Sequence, residues 1–172
     1  IRDRYESFEK NKIIQIMSQL RHHLINMDEI DKICKQINEH ERFIAYGSPT
    51  LLNLLFDFQV DMKIFDKTVL LSSVNNGKIL VPKNNDLIGL FTATGRLLGC
   101  CDAKFQEVVL DTKNTKILFS KSQINSEYID FSFSMDTDND YYEMHYVFLF
   151  LFDLIKTRYY ELYIKEWKYD YR

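Results

Sequence analysis

The sequence predicts an α/β protein, built as a doubly wound five-stranded parallel sheet with helices on both faces. Two observations lead to this prediction. Short apolar runs alternate along the chain with longer stretches whose apolar residues recur every three or four positions, as in strands joined by helical crossovers. One of these runs, residues 87–91, contains no charged residue, which is typical of a strand buried on both of its faces.

The predicted elements follow one another along the chain. Residues 1–26 are interpreted as a linker with an N-terminal helix, and residues 27–172 as one domain. Strands are predicted over residues 42–46, 61–65, 87–91, 116–119 and 128–133. Helices are predicted over residues 28–40, 51–58, 97–109 and 143–167. Residues 68–74 fit either a helix or a strand, and the hairpin-type dipeptide Asn76-Gly77 is interpreted here as a loop.

Composition excludes several classes of protein. The chain has 172 residues, of which 46% are hydrophobic, so it is expected to fold around a core of its own. Its net charge of -3 does not favour a surface that binds nucleic acid along its whole length. No apolar run approaches the roughly 18 residues of a membrane span. Three cysteines, two of them adjacent, favour reduced thiols and a cytoplasmic location.

Hydroxyl-rich turns follow three of the predicted strands. They read Gly47-Ser48-Pro49-Thr50, Thr92-Ala93-Thr94-Gly95 and Ser120-Lys121-Ser122. The carboxyl ends of parallel strands meet at one edge of a sheet, where ligands of such folds bind. Hydroxyls and backbone amides that converge there suit an anion. The alternative for the second turn is an ordinary strand-to-helix connection with Thr94 as the N-cap.

The order of these motifs resembles a known family. The segments F-I-A-Y-G-S-P-T, N-D-L-I-G-L-F-T-A-T-G, K-I-L-F-S and L-F-D-L-I are similar to the sugar isomerase (SIS) domain. More narrowly, residues 27–165 resemble the C-terminal effector domain of RpiR-type transcriptional regulators. The resemblance implies strand order 2-1-3-4-5 and a phosphosugar site. The site residues that it implies are Gly47, Ser48, Thr50, Thr92, Thr94, Gly95 and Ser120. Pro49 and Leu97 depart from the family motifs, since a glycine and a hydroxyl residue are expected there.

The resemblance also implies partners. Such regulators carry an N-terminal helix-turn-helix domain that binds DNA, and this chain has no room for one, so we interpret it as part of a longer protein. A homodimer is expected because the last predicted helix has aromatic residues on more than one face. Two alternatives remain open: a sugar-phosphate isomerase, and a degenerate SIS domain that only dimerises.

Enzymatic, metal and cofactor chemistry are not expected from the sequence. Glu143 and His145 could serve as an isomerase base, but one such pair is weak evidence and no catalytic residue is assigned. Asp136, Asp138 and Asp140 begin like a calcium loop, yet Tyr141 stands where that loop requires glycine. We therefore predict no metal, no cofactor and no membrane partner.

Overall fold

A five-stranded, all-parallel sheet with strand order 2-1-3-4-5 lies at the centre of the protein. The computed structural model describes residues 27–74, 78–99, 102–134 and 141–165, with backbone alone at 141–144. The strands are β1 (Arg42–Gly47), β2 (Thr68–Ser73), β3 (Asp86–Thr92), β4 (Lys116–Ser120) and β5 (Phe131–Ser134). The fold class and the strand order expected from the sequence are both confirmed.

Helices cover both faces of the sheet. They are α1 (Met27–Glu39), α2 (Pro49–Asn53), α3 (Phe56–Ile64), α4 (Arg96–Gly99), α5 (Ala103–Phe105) and α6 (Tyr141–Tyr159). Turns of π-helix extend α5 over Gln106–Leu110 and α6 over Tyr160–Ile164. No helix in the described ranges is both long enough and apolar enough to span a bilayer.

Alternate residues of each strand supply two separate cores. Phe43, Ala45 and Phe91 face the layer formed by α1, α2, α3 and α6. Ile44 and Leu90 face the opposite layer, where the β3–β4 connection packs. The period of two along each strand therefore explains why these strands read as continuous apolar runs: both of their faces are buried.

Gly89 lies in the middle of β3, where a side chain has no room. A Cβ atom at this position would come 2.5 Å from Cζ of Phe43 and 2.9 Å from Cε2 of Phe91. The missing side chain lets two aromatic rings approach the backbone of a central strand. A glycine that normally weakens a strand is thus needed here for close packing.

Several predicted elements need correction. Residues 61–65, predicted as a strand, were assigned wrongly, since α3 continues to Ile64 and its buried Phe58 and Met62 have helical spacing. The second strand is instead Thr68–Ser73, one of the two options left open for that stretch. β5 begins at Phe131, three residues after the predicted start at Tyr128.

The helix predicted after Gly95 is interrupted. α4 ends at Gly99, and Asp102 caps α5 by accepting a hydrogen bond from the Phe105 amide at 2.7 Å. α4 begins at Arg96, so the residue directly before it is Gly95 and not Thr94. The N-terminal helix, the Asn76-Gly77 loop and the acidic loop at 136–140 lie outside the described residues.

Candidate ligand-binding site

The three hydroxyl turns lie at one edge of the sheet. β1 pairs with β2 on one side and with β3 on the other, so the chain reverses its direction of winding at β1 and β3. Gly47 at the end of β1 pairs with Phe91, and Thr92 at the end of β3 pairs with Ser120. The turns after β1 and β3 consequently flank the crevice in which doubly wound folds bind their ligands.

The turn after β1 has given part of its binding capacity to structure. Ser48 is the N-cap of α2, and its Oγ accepts a long hydrogen bond of 3.5 Å from the Leu51 amide. Its hydroxyl proton can still be donated. Pro49 is the first residue of α2 and has no N–H group, so this turn has one backbone donor fewer than a glycine would provide. Thr50 is exposed, and its hydroxyl adds a second side-chain donor.

The turn after β3 is held by a contact with a distant segment. Gly95 has a φ of 76°, and a Cβ there would lie 2.6 Å from Cδ1 of Ile124. The glycine is therefore required by its own backbone and by the Ile124 side chain. Thr92 is buried, whereas Thr94 is exposed to solvent. Leu97, which replaces the hydroxyl expected from the resemblance, packs on the second core.

The turn after β4 is fixed by its own serine. Ser120 is fully buried, and its Oγ donates to the carbonyl oxygen of Ser122 at 2.7 Å. Its single proton is thus already used, and it serves the shape of the turn. The amide of the half-buried Lys121 donates to the Ala93 carbonyl at 3.4 Å, which joins this turn to the one after β3. Lys121 was not among the predicted site residues, although a cation between two serines could have indicated it.

Comparisons with known proteins agree with this architecture. No protein-family model and no curated protein sequence matches the chain. Three solved structures are similar. The first is a hypothetical protein from Methanococcus jannaschii whose structure was reported to infer a 3-hexulose-6-phosphate isomerase function. It has 14% identity and a TM-score of 0.71, with 89% of each chain covered.

The second similar structure is an Escherichia coli CFT073 protein in complex with a phosphosugar. It has 12% identity and a TM-score of 0.74, covering 94% of this chain and 93% of that one. The third is the Vibrio vulnificus NanR protein complexed with ManNAc-6P, with 10% identity and a TM-score of 0.72. The similarity to NanR covers 92% of this chain and 64% of the NanR chain. The chain has the fold of the sugar isomerase domain. The predicted resemblance is confirmed at the level of the fold.

Titratable groups near this edge of the sugar isomerase fold have structural partners. Tyr46 is fully buried, and its hydroxyl donates to the Leu80 carbonyl at 2.7 Å. Burial, followed by the charge of Asp86, raises the pKa of Tyr46, so the phenol stays protonated at neutral pH. His145 is half-buried in the first half of α6, and the side chain of Glu143 lies outside the described residues.

Metal-binding and thiol chemistry have little support. Within the described ranges, no group of three or more histidines, cysteines or acids is arranged to hold a metal ion. The three aspartates at 136–140 lie outside those ranges. Cys34 is buried, and its thiol lies 3.5 Å from the Ile155 carbonyl. Burial, and then the charge of Asp31, raises the pKa of Cys34 to about 12, which keeps it as an unreactive thiol.

Proposed function

We propose that this chain is the effector-sensing and dimerisation domain of a DNA-binding transcriptional regulator of the RpiR type, and that its ligand is a phosphosugar. The observation that supports the proposal most is the meeting of hydroxyl-bearing turns at the switch point between β1 and β3. NanR, complexed with ManNAc-6P, and the Escherichia coli protein with its bound phosphosugar have the same fold.

The turns offer a phosphate group hydrogen-bond donors and positive charge. Hydroxyl donors come from Ser48, Thr50 and Thr94, and the amides around Gly95 add backbone donors. Lys121 and Arg96, in or directly after the turns, contribute positive charge that a phosphate dianion requires. Ser120 and Thr92 stand behind them as buried parts of the two strand ends.

A thermal-shift screen of phosphosugars tests ligand binding. A good ligand at ~100 times its dissociation constant is expected to stabilise the wild type by ~2.7 kcal/mol, because it binds only the folded state. Thr94→Val keeps the side-chain shape and removes the hydroxyl, so it is expected to abolish most of this shift. Thr68→Val is the control, because Thr68 is also exposed but begins β2 at the opposite edge of the sheet.

Two results would count against this site. If no phosphosugar shifts the wild type, Pro49 and Leu97 have removed the binding capacity, and the dimerisation-only alternative becomes the better one. If Thr94→Val and Thr68→Val keep the full shift equally, the ligand binds elsewhere on the chain.

The regulator proposal includes a homodimer and a DNA-binding domain outside these 172 residues. Exposed aromatic residues on α6, such as Tyr146 and Phe150, favour a subunit contact. Sedimentation at micromolar concentration is expected to show twice the 20.6 kDa mass of the chain. A monomer under these conditions would remove the main route by which a ligand could change DNA binding.

Isomerase activity is the second candidate, because the Methanococcus jannaschii structure was reported to infer such a function. We expect no turnover, since the turns provide binding groups and no clear acid–base pair accompanies them. A coupled assay with common hexose and pentose phosphates tests this expectation. Turnover that is lost in Glu143→Gln or His145→Gln would establish an enzyme instead.

A further inference from the structure

Two neighbouring helices expose six large apolar side chains on one side of the protein. The exposed residues are Phe56 (60%), Val60 (48%) and Ile64 (75%) on α3, and Tyr146 (60%), Leu149 (42%) and Phe150 (41%) on α6. Single exposed apolar side chains are common on protein surfaces. A set of six on two packed helices is a patch and requires an explanation.

The stripe on α3 is regular. Phe56, Val60 and Ile64 are spaced by four residues, so they share one helix face. The opposite face carries Phe58 and Met62, which are buried against the sheet. α3 is thus apolar towards the core and apolar towards solvent, and only its flanks are charged.

α6 shows the same double character. Phe148, Leu151 and Phe152 are buried, while Leu149 and Phe150 between them are exposed. A helix that is apolar around most of its circumference is usually buried on all sides. Within the described residues, the outward face of α6 has no cover of its own.

The two helices form one surface. Lys156 of α6 binds Asp61 of α3 and Asp153 of its own helix, each at 2.8 Å. Beside these ion pairs, a cavity of about 200 Å³ opens between Leu54 and Asp57 on the α3 side and Leu149 on the α6 side. The surface therefore consists of two apolar ridges with a polar groove between them. We call it the α3–α6 face.

We propose that the α3–α6 face is the surface on which a second copy of this chain docks. This inference rests on the homodimer of the proposed function and assigns its location. A two-fold dimer brings the same patch of both copies together, so the face must suit itself. Its charged groups meet this condition because both signs are present, from Asp57 and Asp153 to Lys63 and Lys156.

The size of the face suits this occupant. With roughly 150–250 Å² for each aromatic side chain, and somewhat less for each aliphatic one, the exposed fractions amount to about 600 Å² of apolar surface. A standard interface buries about 800 Å² on each partner, and about 65% of a homodimer interface is apolar. The six side chains therefore supply the apolar part of one standard dimer interface.

Analytical ultracentrifugation of the whole chain, from micromolar to hundred-micromolar concentration, tests the proposal. The wild type is expected to sediment as a dimer. Val60→Asp and Phe150→Asp each place a charge in the contact, and each is expected to weaken dimerisation by about 100-fold or more. Val81→Asp is the matched control: Val81 is 68% exposed in the β2–β3 connection, and this variant is expected to remain a dimer. Far-ultraviolet circular dichroism confirms that each variant is folded.

The outcomes separate the face from the dimer itself. A wild-type dimer that persists in Val60→Asp and Phe150→Asp overturns the α3–α6 face, while the proposed homodimer stands. A wild type that is monomeric throughout overturns both. Binding of a phosphosugar is measured separately by thermal shift, so neither result decides the ligand proposal.

Discussion

Replacing Asp86 by alanine is expected to lower the free energy of unfolding by about 3 kcal/mol, because it leaves Arg42 without its partner in a buried pair. The Asp86 side chain is 1% exposed, and Arg42 donates to both of its oxygens, from Nε at 2.7 Å and from Nη2 at 2.5 Å. The amide of Lys83 donates to the same carboxylate at 2.6 Å. One carboxylate thus fixes the first residues of β1 and β3 and the connection that precedes β3.

Urea denaturation followed by circular dichroism measures this loss. Glu107→Ala, which removes an exposed acid, is the control and is expected to change stability by less than about 0.5 kcal/mol. The double variant Arg42→Met, Asp86→Leu is expected to recover much of the loss, because neither charge is then left buried alone. Equal stability of Asp86→Ala and Glu107→Ala would show that the pair contributes nothing.

The same pair makes stability depend on pH in the acid range. Burial raises the pKa of Asp86, but hydrogen bonds from Arg42 and the Lys83 amide outweigh it, and the net pKa lies below the usual value. A carboxyl with a lowered folded pKa contributes its full stability above the unfolded pKa of about 3.9. This contribution is expected to disappear as the pH falls from there through the folded pKa. In Asp86→Ala the acid limb of the stability curve should therefore be flatter.

The sequence predicted the sheet well where its signals were unambiguous. β1, β3 and β4 are uninterrupted apolar runs bounded by polar turns, and each lies within two residues of its predicted bounds. The stretch from 61 to 73 failed because short apolar runs fit helix and strand equally. Residues 61–64 became helical since Met62 follows Phe58 by one turn, and the following run had to supply β2.

The candidate site was predictable in its location but not in the role of each residue. Parallel strands bring their carboxyl ends together, so the meeting of the three turns follows from sequence order alone. Ser120 was predicted to bind ligand, yet its proton is taken by the Ser122 carbonyl. Gly95 was expected to make room for a ligand, but Ile124, from the β4–β5 connection, occupies the space next to it. Such contacts join separate parts of the chain and depend on the finished fold.

Truncating Phe152 to alanine is expected to lower the free energy of unfolding by about 3–5 kcal/mol, the usual cost of removing a buried phenylalanine ring. Its ring is 3% exposed and lies 4.9 Å from Phe58, 5.4 Å from Phe91 and 5.6 Å from Phe119, centroid to centroid. Few voids of this size can close in a core packed on three sides by aromatic rings.

The loss should also reach the candidate site, because two of these rings stand directly before its turns. Phe91 precedes Thr92, Phe119 precedes Ser120, and their rings stack with centroids 4.6 Å apart at an interplanar angle of 3°. Phe131→Ala is the matched control, since Phe131 is 41% exposed and its loss is expected to cost under about 1 kcal/mol. Phe152→Leu fills most of the cavity and is expected to fall between the two in urea denaturation. If Phe152→Ala and Phe131→Ala lose stability equally, then α6 is not anchored to the sheet through this ring, and the strand ends must be held by the backbone ladder alone.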